Sequence, residues 1–277
     1  MAATPLGELD LPDVVTWSVS ITDAESGRVL AEHDPARLLS AASMGKVFVL
    51  IELAERLAAG DLAPGTMLDR RSVAAVADSG LWHRLTTDTL PVADIATLVG
   101  AVSDNWATNV LIDRLGLESI RARAAEWAPG GSTLHDIVRG RRGPDDPPHL
   151  ALACAADLTT VFARLWRECE HPPAAQVLAW LRSGVDLSLV AGAFAQDPLA
   201  HEEDGPPHLV HKTGSNLGVR ADTGLVSTDH RTLAYAVLAN WPPDRDRLDR
   251  DLVLASMRAI GQNLRGWLAD ADRGSRP

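Results

Sequence analysis

Residues 41–60 read AASMGKVFVLIELAERLAAG. Ser43 and Lys46 stand three apart, Val47, Leu50, Ile51 and Leu57 follow at helical spacing, and Gly60 is a natural stop. A helix that begins near Ser43 sets the hydroxyl and the amine on one face of its first turn. Backbone N–H groups are unpaired there and the helix dipole is positive. A serine hydroxyl becomes a nucleophile when a base takes its proton. Lysine can be that base only as the neutral amine, which burial and nearby cations favour. Taken alone the pair is weak, because background composition gives about one Ser-x-x-Lys match in a chain this long. On its own, a Ser N-cap beside a solvated lysine is the better account of it.

Two distant motifs change its weight: Ser103-Asp104-Asn105 and Lys212-Thr213-Gly214. Each triplet arises by chance in about one chain in twenty, so the ordered trio is far rarer. The flanks extend the pattern, with Ile95-Ala96 before and Trp106-Ala107-Thr108-Asn109 after the first triplet. His211 and Ser215 bracket the second, and Gly218-Val219-Arg220-Ala221-Asp222-Thr223-Gly224 follows it. In these residues, and in the interval from Ser43 to Ser103, the chain resembles class A β-lactamases and penicillin-binding proteins. The resemblance runs from about residue 14 to 268 and is weakest between 128 and 155.

The coarse pattern alone predicts α plus β. Residues 14–22 and 28–33 read as a hairpin around Ala24-Glu25-Ser26-Gly27. Helical periodicity covers 72–79, 92–102, 105–116, 117–128, 155–167, 174–183, 186–196 and roughly 246–270. Loops are expected at 79–85, 133–149 and 197–207, and antiparallel strands at 208–213, 223–228 and 232–240. The resemblance implies the β-lactamase/transpeptidase-like α/β (α+β) fold. Its antiparallel sheet is drawn from both chain ends, residues 1–40 and 205–277, with a helical subdomain at 41–204 inserted.

Composition narrows the function. With 277 residues and 46% hydrophobic content the chain can bury a substantial core. A net charge of −11, with acids and bases mixed, argues against a nucleic-acid partner and against an anionic membrane surface. Cys154 and Cys169 are too few for a disulfide framework, and the histidines show no metal-ligand spacing. Residues 1–13 lack the pattern of a signal peptide, and no run of eighteen apolar residues offers a membrane span. Cytoplasmic location is therefore the expectation, although most β-lactamases are exported.

The resemblance also implies roles. Ser43 attacks a carbonyl to give an acyl-enzyme, and Lys46 is the base. Ser103 passes a proton among Lys46, Lys212 and the leaving nitrogen. Backbone N–H groups of Ser43 and Ser215 form the oxyanion hole. Asn105 holds the substrate's amide side chain, while Lys212, Thr213, Gly214 and Ser215 bind its carboxylate. Arg220 either reinforces that contact or pairs with Asp222. Trp82 either touches substrate at the rim or is a buried anchor, and Asp104 is structural. No metal and no organic cofactor are needed.

One part of the pattern is missing. Class A enzymes release the acyl group with a glutamate in a Glu-x-x-Leu-Asn loop. Near 135–145 this chain has His135-Asp136-Ile137-Val138-Arg139-Gly140-Arg141-Arg142-Gly143-Pro144-Asp145. Asp136 or His135 is the replacement base if there is one; otherwise deacylation is slow. The resulting expectation is a β-lactamase-like serine hydrolase acting on a β-lactam or a related amide or ester with a carboxylate. The alternatives are a penicillin-binding D-alanyl peptidase, an esterase, an acyltransferase of small-molecule metabolism, or a non-catalytic binding protein.

Overall fold

The computed structural model describes residue 9, residues 11–200 and residues 205–274. The expectations for residues 1–13 and for the loop at 197–207 fall partly outside them. The chain opens with strands β1 (Thr16–Asp23), β2 (Val29–His33) and β3 (Leu39–Ser40), then helix α1 (Lys46–Ala58). Strands β4 (Met67–Asp69) and β5 (Thr89–Pro91) precede helices α2 (Val92–Val102), α3 (Asn105–Leu115) and α4 (Leu117–Trp127). Next come β6 (Thr133–Leu134), β7 (Ala151–Ala153), α5 (Ala155–Arg167) and α6 (Pro172–Arg182). Strands β8 (His208–Asn216), β9 (Val219–Ser227) and β10 (Thr232–Asn240) and helix α7 (Asp246–Gly274) complete it.

The main sheet is five-stranded and antiparallel, in the order β2-β1-β10-β9-β8. Both chain ends supply it, as the fold requires. Central β10 is apolar along nearly its whole length because both of its faces are covered. Leu233, Tyr235, Val237 and Ala239 join one core with Val253, Met257, Ile260, Leu264 and Trp267 of α7. Ala234, Ala236 and Leu238 join the other, with Val47, Leu50 and Ile51 of α1 and Leu158, Val161 and Phe162 of α5. The sheet and the helical layer thus share a core.

Helix α1 lies at the centre of that layer. Lys46 to Ala54 are all buried, the signature of a helix surrounded by others. Its one buried acid, Glu52, is held by Arg56 at 2.8 Å and Arg123 at 3.1 Å. The helix ends as the sequence predicts. Gly60 adopts a φ of +77°, Asp61 N–H donates to Arg56 O at 3.0 Å, and Gly60 N–H donates to Leu57 O at 3.1 Å, a Schellman closure.

Two expected helices are absent. Residues 72–79 follow a short 3₁₀ turn at Arg70–Ser72 and are otherwise irregular. Ala74, Ala75 and Ala77 are exposed, so helix propensity there has no face to bury. Of 186–196 only a 3₁₀ turn at Val190–Phe194 forms, packed on α7. The Asp186 side chain accepts from Ser188 N–H at 3.2 Å and Ser188 Oγ–H at 2.6 Å, which favours a turn over helix entry. Among the described residues no helix is long and apolar enough to cross a membrane.

The α7 packing can be checked by two substitutions on the same helix. Leu264 is fully buried and Leu248 is 73% exposed. Leu264→Ala is expected to lower the unfolding free energy by about 2–5 kcal/mol in urea titrations, and Leu248→Ala by less than about 0.5 kcal/mol.

Candidate active site

Ser43 sits in a 3₁₀ turn, Ala42–Gly45, and the α-helix proper begins only at Lys46. The helix therefore starts about one turn later than expected. Ala42, just before the serine, is held at a φ of 46°, a left-handed conformation costing about 1–3 kcal/mol in a non-glycine residue. Neighbouring backbone fixes this turn. Strand β8 presses on it so closely that a side chain at Gly214 would lie 2.5 Å from Ala41 O and 3.2 Å from Ser43 N. A side chain at Gly45 would collide with Leu134 and Ala151 of the small β3-β7-β6 sheet on its other side. Two of the three sequence motifs therefore meet through their main chains.

Ser103 brings in the third. It follows α2 with a φ of 54°. Lys46 Nζ donates to Ser103 O at 2.6 Å, to Ser103 Oγ at 3.2 Å and to Asn105 Oδ1 at 2.7 Å. Lys212 Nζ donates to the same Ser103 Oγ at 3.0 Å and to Thr213 O at 2.7 Å. Both amines are buried. Burial, reinforced by the Lys212 ammonium, pushes the Lys46 pKa well below the usual lysine range, against the opposing pull of Asp104 and Asp78. Burial likewise lowers Lys212 to about 8, with Asp186 and Asp222 opposing. Neutral Lys46 can keep its two shorter N–H bonds and take the Ser103 Oγ–H as acceptor. Acid–base chemistry at neutral pH is thereby within reach.

The surrounding residues support this centre. Asp104, buried and structural as expected, caps α3 through Ala107 N–H at 2.9 Å. Its other oxygen accepts from Leu81 N–H and Trp82 N–H, each at 2.7 Å. This wrap carries Trp82 inward: the ring is fully buried and Nε1–H donates to Thr87 O at 3.1 Å. Trp82 is an anchor, and the expected substrate contact at the rim is withdrawn. Asn105 also donates from Nδ2 to Ala77 O at 3.1 Å.

Ser43, Ser103, Asn105, Lys212, Thr213 and Ser215 line one cleft of about 210 Å³. Arg220 does not line it. Its Nη1 donates to Asn216 O and Val219 O, each at 2.7 Å, and the guanidinium lies 5.9 Å from the Trp241 ring. Nor does it pair with Asp222, which is fully buried and committed elsewhere. Asp222 accepts from Tyr235 Oη–H at 3.1 Å and Ala191 N–H at 3.2 Å, and meets His211 Nδ1 at 3.0 Å. Both roles foreseen for Arg220 give way to this hairpin-clamping one.

The candidate deacylation bases also lie off the cleft. Asp136 is bound by Arg139 at 2.7 Å and Arg142 at 2.6 Å, and accepts from Ile137 N–H at 2.8 Å. Burial would raise its pKa, but these bonds outweigh it and hold the carboxyl below its usual range. A carboxylate so neutralised is a poor base. His135 lines a separate cavity with Arg121 and Gly131, and burial, then Arg121 and His149, depress its pKa. The loop is fixed by Asn109, whose amide exchanges two 2.8 Å bonds with Val138.

Two acids of the cleft lining were not foreseen as parts of the site, Asp78 and Asp186; buried His211, which precedes the Lys-Thr-Gly strand, lines it too. The adjoining Lys-Thr-Gly strand was its signal, since alternate residues of a strand share a face. Asp186 was hidden by the mistaken helix, and Asp78 by the other.

A family profile described as "Beta-lactamase enzyme family" matches residues 11–266. None of the curated proteins matches the chain by sequence. Among solved structures, the chain is similar to a β-lactamase from Sphaerobacter thermophilus DSM 20745, with TM-score 0.77 and 23% identity over 95% of this chain and 93% of that one. It is similar to a PBP-A mutant solved as an acyl-enzyme complex with penicillin-G, with TM-score 0.75 and 19% identity over 95% and 93% of the two chains. It is also similar to the chromosome-encoded β-lactamase of Vibrio parahaemolyticus, with TM-score 0.71 and 13% identity over 90% and 92%. At such identities these likenesses speak for the fold.

The Asp136 pairs make a stability prediction with a defined sign. Asp136→Asn is expected to cost about 1–3 kcal/mol at neutral pH, allowing for partial solvent screening of the arginines. A carboxyl whose folded pKa is depressed stabilises above its unfolded value of about 3.9. The difference between the two proteins should therefore disappear as pH falls through the lower, folded-state pKa. Denaturant titrations across acid pH measure it.

Proposed function

The chain belongs to the beta-lactamase enzyme family, and we propose that it is a serine hydrolase whose acyl-enzyme forms on Ser43. The observation that carries this reading is the convergence of Lys46 and Lys212 on Ser103 Oγ in the cleft that Ser43 lines. Neutral Lys46 takes the Ser43 proton as Oγ attacks the carbonyl carbon, and the carbonyl π-electrons move onto oxygen. Backbone N–H groups of Ser43 and Ser215 receive the oxyanion. Collapse of the tetrahedral intermediate expels the leaving nitrogen or oxygen, which takes a proton through Ser103 Oγ. Lys46 returns the proton to that relay, and Lys212 stabilises its charge. Asn105 keeps a second Nδ2–H for the acyl side chain.

The acyl donor is a β-lactam or a related small amide or ester. Hydrolysis completes when water displaces Ser43. Pairing of Asp136 with two arginines, off the cleft, supports a slow second half-reaction. The same observation favours a second reading, in which the acyl group passes to an acceptor other than water, as in a D-alanyl peptidase or an acyltransferase.

Incubation with penicillin and with a chromogenic cephalosporin, followed by colour and intact mass, separates these. An adduct that outlives the colour change and is absent from Ser43→Ala is expected. Rapid turnover with no adduct would remove the slow step, and an adduct that persists in Ser43→Ala would remove the nucleophile.

Acylation should also follow a bell-shaped pH profile. The rate rises as Lys46 loses its proton and falls near about 8 as Lys212 loses its own. Lys212→Ala removes the ammonium that helps depress Lys46, so the rising limb should move to higher pH. Single-turnover mass kinetics at graded pH test both limbs.

A further inference from the structure

A second cavity, of about 500 Å³, is larger than the catalytic cleft and shares no lining residue with it. One wall is a stripe of α4 and the residue that ends it: Arg121, Ala125 and Ala128 stand at helical spacing. The other wall is the chain from Pro129 onward, through Thr133 and His135. Successive residues of an extended chain face opposite ways. Leu134, between those two, turns instead toward the serine-bearing turn, where a side chain at Gly45 would lie 2.7 Å from its Cδ1. His135 N–H donates to Leu150 O at 2.8 Å, so its ring stands on a held backbone. One thin strand therefore parts this cavity from the turn that carries Ser43.

The polar groups of the cavity have capacity left over. Arg121 Nε–H donates to Leu134 O at 3.3 Å, Nη2 donates to His135 O, and Nη1 donates to Glu118 at 2.5 Å. Each terminal nitrogen carries two hydrogens, so one N–H remains on each. Glu118 is 83% exposed and outside the lining, and an ion pair so open to water neutralises the guanidinium only weakly. No acid lines the cavity. His135 supplies an independent observation: its Nε2 is buried and has no hydrogen-bond partner. A buried polar atom left unmet is costly, and a ligand that meets it removes the cost. Burial, then Arg121 and His149, depress the pKa of the ring. An uncharged imidazole can hold its one proton on Nε2 and donate it.

We propose that this cavity is a binding site for a small apolar carboxylic acid. Its hydrocarbon body lies against Ala125, Ala128 and Pro129, and its carboxylate accepts from Arg121 and His135 Nε2. The volume is that of a site for an organic molecule rather than a bare ion, and the apolar wall calls for a hydrophobic body. A cation would meet the guanidinium, and a wholly apolar ligand would leave both donors unmet. The inference goes beyond the acyl-transfer reading and does not rest on it.

The test uses the full chain, with 2-naphthoate and its uncharged counterpart 2-naphthamide as probes, in calorimetric titrations at neutral pH. The acid is expected to bind about tenfold more tightly than the amide, as a charge-assisted contact to arginine should favour it. Arg121→Gln should bring the two together, and His135→Phe, which keeps a ring without its N–H, should weaken the acid. Ala125→Trp fills the cavity from an exposed position of α4 and should abolish binding of both probes. Lys212→Ala removes a cation of the catalytic cleft and should leave the affinity for 2-naphthoate unchanged. An acid that binds no better than the amide, an unchanged ratio in Arg121→Gln, or full affinity in His135→Phe or Ala125→Trp overturns the proposal. Loss of 2-naphthoate binding in Lys212→Ala does so too, by placing the probe in the cleft. Acylation of Ser43 by penicillin, followed by intact mass, is read separately: its failure alongside preserved naphthoate binding would sink the acyl-transfer reading and leave this site standing.

Discussion

Two lysine amines drawn out of water toward a single serine hydroxyl are the constraint on which this structure depends. Each would be an ordinary, fully charged side chain on the surface. Buried together within hydrogen-bond reach of Ser103 Oγ, they oppose each other's charge, and the interior opposes both. Such an arrangement is unfavourable unless the surrounding chain is rigid. Its rigidity comes from α1, packed on every side, from α2 ending in a left-handed serine, and from a sheet buried on both faces.

The polar groups around the amines form a graded series. Asp104 is entirely structural, spending its oxygens on the entry to α3 and on the loop at Leu81 and Trp82. Asn105 is shared between support and cleft, since it holds both Lys46 and Ala77 O. Ser103 ends α2, gives its carbonyl to Lys46 and sets its hydroxyl between the two amines. Three neighbours in sequence thus divide supporting bonds from cleft-facing ones within one turn of chain.

Much of this was legible in the sequence because the motifs encode main-chain geometry as well as side-chain chemistry. Gly214 had to lack a side chain to let β8 approach Ser43, and Gly60 had to reach a positive φ to end α1. The continuously apolar strand β10 and the periodic helices α5 and α7 were equally readable, since their patterns report burial. What escaped depended on tertiary placement. Residues 72–79 and 186–196 have helical composition, but exposure undid one and an aspartate-capped turn the other. Trp82, Arg220 and Asp136 carry the right chemistry for a site, yet Asp104, the hairpin carbonyls and a pair of arginines claim them first.

The contact between Gly214 and the serine-bearing turn has a wider meaning for how this molecule can be altered. Because bare backbone meets bare backbone there, the spacing between the Ser43 turn and the edge strand is not set by replaceable side chains. Asp186 and His211 stand outside that junction. An engineer can therefore change the side chains that line the crevice while the backbone junction beneath them is inherited unchanged.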